Sequence, residues 1–98
     1  MTLVLFKATL ADDAPPPKIS PVLRALWLEA RGDWDGAHQI IQDTNDRSVA
    51  WVHAYLHRKE GDLINAAYWY SRANRDISTF SPDCEWEEIA KEFLPCTP

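Results

Sequence analysis

The sequence predicts an all-α protein made of two stacked antiparallel helical hairpins and a C-terminal capping helix. Three observations predict it. The phrase Gly32-Asp33-Trp34-Asp35-Gly36-Ala37 returns 29 residues later as Gly61-Asp62-Leu63-Ile64-Asn65-Ala66, both reading Gly-Asp-apolar-x-x-Ala. Around these phrases the apolar residues recur at helical spacing. Ser-Pro also occurs twice, at Ser20-Pro21 and Ser81-Pro82, where serine caps free N–H groups and proline suits the first helical position.

Residues 1–17 form an N-terminal arm that ends in the stiff spacer Asp12-Asp13-Ala14-Pro15-Pro16-Pro17, and residues 18–98 form the helical body. The apolar arm is compatible with a strand, a fragment of helix or disorder. A first helix is expected over about 20–31, apolar on most of its surface through Val22, Leu23, Leu26, Trp27 and Leu28, so it needs cover on more than one side. Gly32 supplies the left-handed residue that ends it, and Asp33 caps a second helix over about 34–43. The polar connector Thr44 to Ser48 leads to a third helix over about 49–60, with Val49, Val52 and Leu56 on one stripe and Trp51 and Tyr55 on the next. Gly61-Asp62 repeats the turn before a fourth helix over about 63–74. Ser81-Pro82 opens a fifth over about 82–94, whose apolar face is Trp86, Ile89, Ala90 and Phe93. Ala37 and Ala66 are small where the helices of each hairpin come closest, and Gly36 marks a further close backbone approach.

Composition narrows the function. The chain of 98 residues holds one domain, and with 15 Asp+Glu against 10 Lys+Arg it has a net charge of −5 and no basic run, which excludes nucleic acid as an expected partner. The start lacks a basic leader, no apolar stretch approaches the ~20 residues of a membrane span, and Cys84 and Cys96 read as incidental thiols. A cytoplasmic location without membrane association is expected. No phosphate loop or supported nucleophile is present, and Asp83-Cys84-Glu85-Trp86 reads as the acidic first turn of a helix; neither catalysis nor a cofactor is expected.

Around the second turn the chain resembles the tetratricopeptide and Sel1-like helical repeats, through Gly61, Asp62, Leu63, Ala66, Tyr70 and Ala73 and through Ala66, Trp69, Tyr70, Arg72 and Ala73 respectively. In the first hairpin Gly32, Asp33, Trp34, Ala37 and Ile41 match, while Pro21, Arg24 and Ala25 replace the opening aromatic and Leu-Gly of the tetratricopeptide helix. The resemblance covers roughly residues 20–75 and implies a protein- or peptide-binding or scaffolding module. It places Trp51, Tyr55 and Arg58 on the concave, ligand-facing stripe, with packing under the C-terminal helix as the alternative. A repeat array usually needs about three units, so the last helix or a second copy, giving a homodimer, must cover the open faces.

Two further features stand out. Tyr68-Trp69-Tyr70 cannot all face inward from one helix, since neighbours are about 100° apart, so one ring is expected at the surface as a binding residue or an amphipathic tip. His53 and His57, at i and i+4, share a helical face at a spacing that can chelate zinc. His38 lies on another helix and Glu60 on the same one, with nothing in the sequence to bring them together. The pair therefore reads first as partly buried core histidines, no metal being expected, and second as a metal- or small-molecule-binding site. A structural subunit of a larger complex is the remaining alternative.

Overall fold

The computed structural model describes residues 1–44 and 46–95. Among these are six α-helices and no strand: α1 Leu3–Ala8, α2 Pro21–Ala30, α3 Trp34–Asp43, α4 Ala50–Glu60, α5 Leu63–Arg72 and α6 Pro82–Phe93. Short 3-10 turns follow α1 at Thr9–Ala11 and precede α4 at Arg47–Val49. No described helix is long and apolar enough to cross a membrane. Cys84 is exposed, and Cys96 lies outside the described residues.

The repeated phrase does the same work twice. Gly32 and Gly61 sit at φ 88° and 90°, a region open to glycine at no steric cost. In each turn the following aspartate donates its N–H to the carbonyl five residues back, Asp33 to Leu28 and Asp62 to His57, both at 2.9 Å. Each aspartate side chain then caps the next helix, accepting from Gly36 N at 2.9 Å and Asn65 N at 3.2 Å. Ser20 and Ser81 cap α2 and α6 by accepting from Leu23 N and Cys84 N, with Pro21 and Pro82 in the first turn. The tight contact at Gly36 is with its own cap: a Cβ there would collide with the Asp33 carboxylate, not with another helix.

α2 packs chiefly on α3, and α4 chiefly on α5. Ala37 and Ala66 are buried. α4 is the centre of the molecule. Every residue from Ala50 to His57 is buried, because α3, α5 and α6 surround it, so the two-stripe pattern expected for this helix becomes burial on all sides. α6 lies across α2 and α4, where the Trp86 indole donates to Leu26 O at 3.0 Å.

The N-terminal arm is helical over residues 3–11. Thr2 caps α1 by accepting from Leu5 N, and Phe6 is fully buried, stacked on Trp86 with ring centroids 5.7 Å apart. Beyond α1, the Trp27 indole donates to Thr9 O, and the Arg31 guanidinium donates to the carbonyls of Leu10 and Asp12.

Candidate metal centre

Trp51, Tyr55 and Arg58 do share one face of α4, but α6 and its neighbours cover it. Trp51 is 7% exposed and Tyr55 1%. The Trp51 indole donates to Glu85 Oε2 at 3.1 Å, the Tyr70 hydroxyl to the same oxygen at 2.5 Å, and the Arg58 guanidinium to Glu85 Oε1 at 2.8 Å. Arg58 also donates to the carbonyl of Phe80, and the Arg75 guanidinium lies 3.5 Å from the centroid of the Trp51 ring. Tyr55 donates to Glu29 Oε2 at 2.9 Å, and Lys59 pairs with Glu29 Oε1 at 3.2 Å. Burial and the adjoining carboxylates push the hydroxyl pKa values of Tyr55 and Tyr70 well above the ordinary tyrosine value. The stripe expected to meet a ligand is therefore interior, closed by the chain's own last helix. Glu85, part of the acidic first turn of α6, is 1% exposed. Three donors converging on one carboxylate stabilise that burial.

Of the aromatic block, Tyr70 is buried, Trp69 is half-buried and Tyr68 is 54% exposed, edge-on to Trp69 with Arg72 over its ring. Tyr68 lies apart from Trp51, Tyr55 and Arg58, on the outer side of α5.

His53 and His57 are buried, and α3 brings His38 to them. The ligating nitrogens of the three lie within 4.8 Å of one another, and His53 Nε2 is 3.2 Å from His38 Nε2. Two nitrogens bound to one tetrahedral zinc at 2.0–2.1 Å stand about 3.3 Å apart, so two of the three are already at ligand spacing. His57 Nδ1 is 2.7 Å from Glu60 Oε2, which orients the ring and leaves Nε2 as the free nitrogen.

Aromatic neighbours hold the other two rings. The Trp34 ring stacks on His38 at 4.8 Å, and its Nε1 is fixed by donation to Leu56 O at 2.7 Å. Trp69 stacks on His53 at 3.9 Å with planes 6° apart. Among the described residues no fourth ligand side chain joins this three-histidine group, although Glu60 and Asp62 form a second set with His57. Three imidazoles with a further position free match the donor set of an open zinc site.

Burial, reinforced by the nearby His38 and His57 rings, lowers the His53 pKa from 6.5 to about 4. His38 is lowered too, first by burial and then by His57, with Glu60 and Asp35 opposing. Both shifts favour neutral rings, the form that binds metal once the hydrogen bond between His53 Nε2 and His38 Nε2 gives way to it. They also set a pH dependence. The unfolded chain takes up a proton near 6.5 that folded His53 refuses until about 4, so this contribution to stability is complete above 6.5 and falls as pH drops through that window. Melting temperature is expected to fall between these pH values in metal-free protein, with a shallower slope for His53→Gln. An equal slope in the variant would contradict it.

Sequence reasoning finds two members of this group from their i, i+4 spacing and names His38 on another helix without a means of bringing it to them. His38 follows Trp34 by one helical turn and so shares its face, but only the packing of α3 against α4 makes that face meet His53. No protein-family model, curated protein or solved structure matches the chain.

Proposed function

We propose that this protein binds a divalent transition metal, with zinc the best fit, through His38, His53 and His57. The observation that carries the reading is the convergence of three imidazoles from α3 and α4, with ligating nitrogens within 4.8 Å, rings held by Trp34 and Trp69, and Glu60 on His57 Nδ1. Titration of untagged, chelator-treated protein with Zn²⁺ is expected to saturate at one equivalent and to raise the melting temperature, by about 2.7 kcal/mol of stabilisation when free zinc is a hundred times Kd. Absence of near-stoichiometric zinc uptake would overturn the proposal.

A second reading, a protein- or peptide-binding module of tetratricopeptide or Sel1-like stacking in the cytoplasm, draws on the outer face of α5. Ile64 is 88% exposed there, beside exposed Leu63 and Tyr68. In a helical stack this is the face against which another hairpin or a second copy of the chain would lie. Light scattering tests the homodimer: concentration-dependent association abolished by Ile64→Glu supports it, and a monomer at all concentrations removes it.

A further inference from the structure

A cavity of about 350 Å³ opens beside the histidine group, where the end of α3, the 3-10 turn, the first turn of α4 and the last turn of α5 meet. That volume suits a small organic molecule. Its apolar wall is Ile41, Val49, Ala50 and the Trp69 indole, and His53 forms part of the lining. Arg47 and Arg72 also line it. Among the described residues neither arginine has a carboxylate at ion-pair distance, a condition they share with Arg24, Arg31, Lys18 and Lys91; what sets the two apart is that both line one recess. Arg72 is held by its neighbours, its guanidinium 5.8 Å from the Tyr68 ring and 5.9 Å from the Trp69 ring. The acidic side chain on the cavity, Asp46, is engaged locally: it accepts from Ser48 N at 3.0 Å.

Two guanidiniums converge on one recess in a chain of net charge −5, and among the described residues neither is neutralised by a carboxylate. Guanidinium groups are planar donors matched to carboxylate and phosphate oxygens, and the apolar wall suits a hydrocarbon or aromatic body attached to such a group. We infer that this cavity binds a small organic anion, a carboxylate or phosphate ester, with Arg47 and Arg72 taking the oxyanion and Trp69 with Ile41 and Val49 taking the body. The site goes beyond metal binding and shares with it His53 and the Trp69 ring stacked on that histidine. A bound anion therefore sits against one wall of the metal centre.

The test is an NMR titration of chelator-treated protein with benzoate, phenyl phosphate and the neutral control benzyl alcohol, following the Trp69 indole N–H and the amides of residues 47–50. Working without metal keeps the outcome independent of whether zinc binds. At least one of the two anions is expected to give saturable shifts at these positions, and their relative affinities separate carboxylate from phosphate ester. Replacing the two exposed arginines, Arg47→Ala with Arg72→Ala, is expected to weaken binding at least about tenfold, with the amide spectrum of the remaining chain retained. Neither anion giving saturable shifts up to about 10 mM, benzyl alcohol binding as well as both anions, or unchanged affinity in the double variant would each overturn the inference.

Discussion

Replacing Glu85 with alanine is expected to cost about 3–5 kcal/mol, a large share of the roughly 5–15 kcal/mol that holds a domain of this size together. The reason is asymmetry. The substitution deletes one carboxylate but strands the Trp51 indole and the Tyr70 hydroxyl and leaves the Arg58 guanidinium, only 17% exposed, with the Phe80 carbonyl and no counter-charge. All three lie under α6, the helix that also carries Trp86 against Phe6 and Leu26, so the loss extends to the contacts of α1 and α2. At about 4–8 °C per kcal/mol for a domain near this length, the melting temperature should drop by at least about 12 °C. Glu85→Gln keeps an acceptor for Trp51 and Tyr70 while removing the charge facing Arg58, and should fall between the two. Denaturant unfolding monitored by tryptophan fluorescence decides it: a loss for Glu85→Ala below about 1 kcal/mol would mean the carboxylate is solvated in solution.

The second large effect is on metal affinity. Structural zinc sites of four ligands bind with about 10–16 kcal/mol, or about 3 kcal/mol per ligand, so His38→Gln, His53→Gln and His57→Gln should each weaken zinc binding by about a hundredfold or more. Because His53 and His57 are buried, their replacement also perturbs packing, and a gentler variant separates the two effects. Glu60 is 40% exposed at its side chain and touches the site only through His57 Nδ1. Glu60→Gln is therefore expected to leave stability of the metal-free protein within about 0.5 kcal/mol and to weaken zinc binding about 10–100-fold. Competition titration against a chromophoric chelator reads both. Unchanged affinity in all four variants would place the metal elsewhere.

The local chemistry of the chain was readable and the long-range chemistry was not. Ser20-Pro21, Gly32-Asp33, Gly61-Asp62 and Ser81-Pro82 act within a few residues of themselves, through caps and left-handed glycines, so α2, α3, α5 and α6 fall within about two residues of where their signals put them. The sequence of α1 is compatible with three states because six residues carry too little propensity to decide. What holds it is the docking of Phe6 on Trp86, 80 positions away in sequence.

The same divide runs through the site. An acidic residue in the first turn of a helix has the same sequence signature whether it faces water or, like Glu85, a buried cluster of donors. One clue was available: Trp51 and Arg58, seven residues apart on a helix that proved to be central, both require an acceptor once buried. His53 and His57 were visible as a pair, whereas His38 joins them only through the crossing of α3 on α4, which no spacing in the sequence encodes.

X-ray absorption at the zinc edge on the one-to-one complex of untagged protein tests the central claim most directly. Three imidazole nitrogens at about 2.0–2.1 Å, with one further light-atom ligand, are expected. A sulfur shell at about 2.3 Å from the exposed Cys84, or a shell of oxygens without imidazole scattering, would contradict the assignment to His38, His53 and His57.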